Sequence, residues 1–523
     1  MKDIKTDIII AGGGLAGMSL ALQLLNSNSA LAITIIEKNT FPVPDTTAKV
    51  GESTVEIGAH YFTDVLGLKD HFQQHHLRKY GLRCFFGNVA GDYSDYDELG
   101  VSELFGIPAY QIERGTLENY LHELLTEKGV TVIDSAMPVS ITLGNKQQEV
   151  ICTQSEQTYR ITGRWIVDAA GRQALLKTKL GLNKPTGHKG NAVFFRVDKR
   201  IIIDEWSDNP AWQNRVCEPG KRWLSTNHLM GPGYWVWIIP LASGATSVGI
   251  VMDDTALAQS GIKNYDDALV WLEKEHPNCA KSLRGATLLD FHLMEDYSYG
   301  CKQMFSDEGW ALTGEAGAFS DPFYSPGSDF IALNNTFITH LITRDFSGHD
   351  IRFDSALFHK FYDSFFENTL SLYKDQYGGF GDRQMMSVKL VWDYTYYWGV
   401  FALLFFTDTI GDIDKMRKIT PDLMKSQKLN KKMQMLLSQR AQKRQVLPAK
   451  GVFMDQFLVP CLSQLNDVLQ QENIDVEKAL AANIAVMQKV VPYLEDMLAD
   501  NPSMDIDDDE RTVLGNYRQS VLA

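Results

Sequence analysis

The apolar positions of this chain change their period along its length, and each change predicts a different kind of element. Residues 7–10, Asp-Ile-Ile-Ile, start a continuous apolar run, which is the pattern of a strand buried on both faces. A glycine-rich turn follows at once and opens a helix. A second strand, Ala32-Ile-Thr-Ile-Ile36, then ends on Glu37. The stretch Glu113–Gly129 predicts another helix, and short strands lead from it to Arg164-Trp-Ile-Val-Asp-Ala-Ala-Gly-Arg172. Between about 181 and 300 the chain is strand-rich, with Asn191–Asp198, Tyr234–Leu241 and Thr246–Asp253 the clearest runs. This predicts a sheet-based domain inserted into the one that the first strands begin. Residues 309–342 give a strand, a glycine-rich loop and a long helix.

After residue 345 the strand pattern is expected to stop. Leu357, Phe361 and Phe365, and likewise Phe358, Tyr362, Phe366 and Leu370, repeat at helical spacing, so the last part of the chain reads as mostly α-helical. The run Val391–Phe406 is apolar and aromatic, but it is 16 residues long and holds Asp393, which predicts a buried helix rather than a membrane span. The acidic run 505–510 reads as a solvated loop.

Within the first turn, Gly12, Gly14 and Gly17 stand in G-x-G-x-x-G spacing, with Glu37 twenty residues beyond the last. The glycines permit the tight turn, let the backbone approach a pyrophosphate and let the helix pack on its strand, while helix amides hold the anion and the acid takes ribose hydroxyls. An adenine dinucleotide is therefore expected at this end of the chain.

Composition narrows the function classes. The 523 residues carry 50 Lys+Arg against 65 Asp+Glu, a net charge of −15, which argues against a general nucleic-acid binder. Six scattered cysteines show no C-x-x-C and no histidine at metal spacing, so no metal site is expected and the chain reads as cytoplasmic. The start, Met1–Gly14, runs straight into a strand and shows no signal-peptide pattern. One local feature stands against the acidic balance. Lys425, Lys428, Lys431, Lys432, Arg440, Lys443, Arg444 and Lys450 include no acidic residue among them, and Met433, Leu436 and Leu437 add an apolar stripe. This segment, 425–450, is a candidate docking face for an acidic partner or an anionic membrane, the alternative being a helix paired with the chain's own acids.

Further motifs carry a family resemblance. Gly12–Gly17 with Glu37, Asp168 and Gly171 in V-D-A-A-G-R, and the late G-E-A-G-A-F-S-D-P loop resemble the flavoprotein monooxygenases of the para-hydroxybenzoate hydroxylase superfold. Within it, K-V-G-E-S-T (49–54), the Lys79 segment L-R-K-Y-G-L-R-C-F-F-G and Y-W-V-W-I-I-P (234–240) resemble the flavin-dependent halogenases, over roughly residues 5–340. The fold this implies is α/β: an FAD-binding Rossmann-like (GR2-type) domain over 1–75, 100–180 and 300–345, an inserted β-sheet substrate domain over 76–99 and 181–299, and an α-helical C-terminal domain over 346–523.

The resemblance also implies chemistry. Reduced FAD and O₂ give a flavin hydroperoxide, chloride or bromide attacks it, and hypohalous acid is relayed to a lysine beside an electron-rich aromatic substrate of phenol, pyrrole or indole type. Lys79 stands at the lysine's place, and its neighbours Arg78 and Arg83 are expected to lower its pKa by like charge. FAD contacts are implied for Gly12, Gly14, Leu15, Ala16, Gly17, Glu37, Lys38, Glu52, Ser53, Gln111, Arg114, Asp168, Gly171, Gly314, Glu315, Pro322, Gly327 and Ser328. Pro326 has no N–H, so the halide is expected on the amides of Gly327 and Ser328. Trp235, Trp237 and Tyr324 are expected to line the passage and the substrate.

Tyr324 replaces the glutamate of the tryptophan halogenases, and the D-P-F-Y form is closer to the phenol and pyrrole types, whose substrate is free or tethered to a carrier protein. With one dinucleotide fingerprint only, electrons are expected from a separate flavin reductase. The rival reading is an FAD-dependent, NAD(P)H-using aromatic hydroxylase, which needs neither halide nor lysine.

Overall fold

The two apolar runs that open the chain lie side by side. In the computed structural model, which describes residues 1–45, 49–87 and 91–522, strands Ile8–Ala11 and Ile33–Ile36 are parallel and buried throughout. Helix Leu15–Ser27 joins them. Trp165–Asp168 pairs on the other side of Ile8–Ala11, Trp310–Leu312 lies beyond it, and Thr131–Ile133 closes the far edge, giving five parallel strands. A fully buried parallel sheet needs the continuous apolar runs seen in the sequence. A second, four-stranded sheet is formed by Lys2–Lys5, Gln157–Gly163, Gln148–Gln154 and Ala136–Thr142.

The chain folds into two compact units. The first comprises Met1–His76, Ile112–Thr186 and Ser298–Glu367; the second comprises Leu77–Gln111, Gly187–Tyr297 and Asn368–Ala523. The second is built on an eight-stranded mixed sheet in the order 288–294, 191–197, 246–252, 234–240, 226–231, 82–86, 97–100, 453–455. One face buries Phe195, Leu229, Val236, Ile238, Val248 and Ile250 in a single apolar cluster. Because strand side chains alternate, the opposite face carries Cys84, Phe194, His228, Trp235 and Trp237.

Two features differ from the sequence reading. Residues 346–523 do not stand as a domain of their own. As far as Glu367 they belong to the first unit, where Phe358 stacks on Phe337 with ring centroids 4.6 Å apart. From Asn368 they belong to the second, and the strands do not stop at 345: Phe453–Asp455 pairs in parallel with Asp97–Gly100. Three residues are too few for a period of two to show. Asp97 fixes this junction, its carboxylate accepting from the Lys450 and Val452 amides and from Arg383. The acidic run is also more than a solvated loop: Asp507 caps helix Asp508–Leu514, and Glu510 is buried against Arg518.

The aromatic run Val391–Phe406 is buried as expected, with Val391, Trp392, Trp398 and Leu403 all inside. Among the described residues no helix is long and apolar enough to cross a membrane.

Candidate functional site

The first unit brings three backbone turns together at the carboxyl ends of its parallel strands, where open α/β sheets bind their ligands. The glycine turn is the first. Gly12 adopts a φ of +118°, and a Cβ there would lie 2.2 Å from the Ala169 carbonyl oxygen. A Cβ on Gly17 would lie 2.0 Å from the Gly12 oxygen, so helix and strand approach at a distance only glycine allows. Gly14 differs: a Cβ there meets nothing within 4 Å. The chain thus leaves open space in front of a helix N-terminus, where a pyrophosphate fits. Leu15 is buried beside it, Ala16 half-buried, and Lys38 exposed.

Glu37 is buried and braces this turn. Its Oε2 accepts from the Gly13 amide (2.7 Å), and its Oε1 accepts from the Asn39 amide (2.9 Å) and side chain (2.7 Å).

The second turn follows Trp165–Asp168. The Asp168 carboxylate accepts from the amides of Ala170 (3.0 Å) and Leu176 (2.7 Å), holding the turn around Gly171, whose φ is +60°. Burial pushes the Asp168 carboxyl up to about 6. The third turn is Gly314–Ala316, tied to the second by the Thr313 amide donating to the Asp168 carbonyl (3.0 Å). It also abuts the first, because a Cβ on Gly314 would lie 3.0 Å from Ala16 Cβ. Glu315 pairs with Arg172 (3.1 Å).

Around these turns stand the remaining residues of the first unit. The Arg114 guanidinium donates to the Val50 carbonyl (2.6 Å) and to Glu118 (2.7 Å), and Lys49 pairs with the same Glu118, so two cations pin the 49–54 segment to helix Arg114–Glu127. Glu52 and Ser53 are buried, the Glu52 carbonyl accepting from the Ile112 amide. The 321–328 loop enters helix Gly327–Phe346 through two consecutive left-handed residues, Tyr324 (φ +68°) and Ser325 (φ +60°). Non-glycine residues take that conformation at a cost of roughly 1 kcal/mol or more each, a strain that clusters at functional sites. Asp321 accepts from the Phe323 amide, Pro322 and Gly327 are half-buried, and Ser328 is buried. A Cβ on Gly327 meets nothing, which leaves room for an anion at the first amides of a 20-residue helix.

The second unit holds the other candidate residues. Lys79 is 3% exposed, its amide donating to the Ala109 carbonyl between the paired segments Leu77–Arg78 and Tyr110–Gln111. Gln111 is fully buried and donates to Thr226 Oγ1 (2.9 Å). Register places His228 opposite both Cys84 and Trp237, and Trp235 opposite Met230. The two tryptophan rings are 5.7 Å apart, the His228 ring is 5.4 Å from Trp235, and the Trp237 Nε1 donates to Ser247 (3.2 Å). Burial, with the charge of Lys79 added, pushes the His228 imidazole down to about 3, so it is neutral.

Arg83 is fully buried, and it and Arg222 share Glu98. Sequence reasoning missed His228, which the hairpin preceding Y-W-V-W-I-I-P brings to the tryptophans. It also missed the Glu118 carboxylate that joins Lys49 to Arg114.

The basic segment is largely paired within the chain. Lys425 meets Asp422, Lys432 meets Glu495, Arg440 meets Asp382, Lys443 meets Asp500 and Arg444 meets Asp253. Met433 and Leu437 are core residues.

Comparison with known proteins places this geometry. The FAD binding domain family matches residues 5–241. A flavin-dependent halogenase of Dictyostelium discoideum, chlA, is 27% identical over 428 residues, covering 75% of this chain and 70% of that protein. The 1H-pyrrole-2-carbonyl (peptidyl-carrier protein) chlorinase of Pseudomonas fluorescens is 26% identical over 352 residues, 64% of this chain and 75% of its own. Among solved structures, the halogenase PltM superposes with a TM-score of 0.70 at 16% identity, covering 91% of this chain and 96% of that one. The flavin-dependent brominase Bmp2 does so at 0.57 and 21%, covering 71% and 87%. At such identities the structures establish a shared fold.

Proposed function

We propose that this chain, a member of the flavin-dependent halogenase family, transfers chloride or bromide, oxidised with reduced FAD and O₂, to an electron-rich aromatic ring through Lys79. The cofactor is FAD, and the residues present fit it: an open position in front of Gly14, an acid at Glu37 and three turns meeting at the sheet's carboxyl edge. When bound and reduced, the flavin supplies the two electrons with which O₂ oxidises a halide to hypohalous acid.

The observation that carries the reading is the burial of Lys79. Lysine is seldom buried this deeply on a protein of ordinary composition, and here it lies in the unit whose sheet face presents Trp235, Trp237 and a neutral His228. The Lys79 ammonium donates a hydrogen bond to hypohalous acid. As the ring attacks the halogen, the same group gives its proton to the departing hydroxide, which leaves as water, and the resulting amine takes the proton that the ring carbon loses as aromaticity returns, restoring the ammonium. Trp235 and Trp237 exclude bulk water that would otherwise consume the oxidant. Gly327 and Ser328 hold the halide on their amides, and Tyr324, in the strained turn before them, is assigned to the substrate passage by the family resemblance alone. Arg114 supports the cradle through the 49–54 segment, and Gln111 is assigned to FAD by the family resemblance alone.

The substrate is a phenol, pyrrole or indole, free or carrier-tethered. The Pseudomonas relative, whose name specifies a carrier-bound pyrrole, supports tethering. A separate flavin reductase supplies reduced FAD. The cell compartment is the cytoplasm, supported by six free thiols. At this segment, an acidic partner or anionic membrane would meet the exposed stripe of Met424, Lys428, Lys431 and Met435, whereas Lys425, Lys432, Arg440, Lys443 and Arg444 pair within the chain. The hydroxylase reading is not favoured, because the named relatives are halogenases.

The test supplies FAD, a flavin reductase, NADH and O₂ to purified protein with a panel of phenols, pyrroles and indoles, with and without bromide. The expected product carries a bromine isotope doublet in the mass spectrum that Lys79→Ala abolishes while FAD binding persists. A gain of one oxygen independent of halide would replace this reading with a hydroxylase.

A further inference from the structure

We propose that Lys177 and Tyr299 are positioning residues of the cofactor cradle, holding the Gly314–Gly317 turn in the conformation that FAD meets, with Lys177 acting as a cation. This rests on the reading above that the turn faces FAD.

Lys177 sits on helix Leu175–Leu180 and is 2% exposed. Its Nζ donates to the Gly317 carbonyl (2.8 Å) and lies 3.9 Å from the centroid of the Tyr299 ring. The Tyr299 hydroxyl in turn donates to the Glu315 carbonyl (2.8 Å). Tyr299 is itself anchored, exchanging two backbone hydrogen bonds with Phe319 (2.9 and 2.8 Å). Arg172 completes the ring of contacts, with its guanidinium 5.7 and 5.5 Å from the Tyr299 and Phe319 rings and its Nε on Glu315. Ala16 and Met304 also pack against the turn, since a Cβ at Gly314 or Gly317 would meet them at 3.0 and 2.2 Å.

A 3-10 turn sends its carbonyls and its leading amides in opposite directions. Drawing the Glu315 and Gly317 carbonyls onto Tyr299 and Lys177 therefore presents the leading amides to the other side, where Ala16 and the glycine turn lie. Lysine is a costly way to accept this post. An apolar residue of similar length would fill the space, whereas the buried ammonium is disfavoured by desolvation and pushed down to about 8. What the ammonium adds is a charged donor to one carbonyl and a cation on one aromatic face.

The titratable and charged groups around it are Asp168, Arg172, Tyr299, Cys301 and Glu315. Burial lifts Asp168 to about 6 and raises Cys301 and Tyr299 above their ordinary values. Of the shifted groups, Lys177 is the one that changes charge between pH 7 and 9. The clamp then predicts FAD affinity that falls across this window.

The experiment titrates apo protein with FAD, read by flavin fluorescence, at pH 7 and pH 9. Wild type is expected to bind about tenfold more weakly at pH 9, corresponding to about one unit of coupling to a single proton. Lys177→Met is expected to bind about tenfold more weakly than wild type at pH 7, with no further loss at pH 9. Tyr299→Phe keeps the ring under the lysine, so it should retain the pH response with affinity lowered several-fold at both pH values, about the worth of one hydrogen bond. Lys177→Met binding like wild type with the same pH response would overturn the clamp. If that variant does not fold, a flat wild-type profile between pH 7 and 9 overturns it equally. Gly14→Val separates the two levels of the argument. Loss of FAD in that variant together with wild-type behaviour in Lys177→Met refutes the clamp alone, whereas undiminished FAD in Gly14→Val refutes the cradle, and the clamp with it.

Discussion

Gly14 and Gly17 lie in one motif three residues apart, yet substitution at each should fail for a different reason. Gly14 has φ −83° and ψ −172°, a conformation any residue adopts, and a Cβ there meets no heavy atom within 4 Å beyond its chain neighbours. Gly14→Val should therefore leave the apo fold intact, or stabilise it by about 0.4–1 kcal/mol through a less flexible unfolded chain. The added atoms occupy the space in front of the helix amides, so FAD affinity should fall by more than about a hundredfold, roughly 3 kcal/mol. Gly17→Ala puts a Cβ 2.0 Å from the Gly12 oxygen, with Ile10 and Ala169 at 3.1 and 3.2 Å. Backbone and buried core must shift to admit it, at a cost of about 1–3 kcal/mol even without ligand. The assay is a thermal melt of both apo proteins followed by FAD titration. Unchanged FAD stoichiometry in Gly14→Val, with a wild-type melt, would refute the placement of the pyrophosphate. A wild-type melt for Gly17→Ala would refute the packing argument.

Acid should destabilise the protein through its buried histidines. Burial holds His76, His228 and His276 down to about 3. The unfolded chain thus takes up protons from about pH 6.5 that the native state refuses, and stability present above that pH is lost as pH falls, by about 2 kcal/mol per histidine at pH 5. His276 packs between Tyr234 and Trp271, and neither of its ring nitrogens has a hydrogen-bond partner among the described residues. Urea unfolding of His276→Leu at pH 7 and 5 should show a pH dependence smaller by about 2 kcal/mol, and an undiminished dependence would contradict this. Lys389 and Asp393 form a buried pair at 2.8 Å, with Lys389 also donating to the Leu372 carbonyl. Lys389→Met should cost about 3–5 kcal/mol in urea unfolding, and Lys389→Met with Asp393→Leu should recover most of it; equal losses in the two would show that the charge left behind is not the cause.

What was legible in the sequence was whatever a short segment encodes by itself. Asp7–Glu37 specifies strand, turn, helix and strand in order. The run Tyr234–Pro240 carries its alternation openly, so Trp235 and Trp237 could be placed on one face. Features built from distant segments were not legible. Arg83 lies four residues from Lys79, but its partner Glu98, shared with Arg222, comes from another strand, and no spacing rule foretells the pair. Tyr299 reaches Lys177 across more than a hundred positions, and no spacing rule connects them. The division of residues 346–523 between the units was hidden for the same reason, since it depends on aromatic stacking and a three-residue strand.

That small strand has a consequence for how the protein is made. The edge at Asp97–Gly100 leaves the ribosome early, but the chain that covers it is separated by 353 positions at the Lys450–Asp97 contact. Throughout that interval a nascent polypeptide carries an open strand edge, a template for mispairing with other chains. Translation pauses, truncated messages or a fusion that delays release of the final segment should therefore yield aggregates. The closing residues are the ones whose arrival ends that exposure.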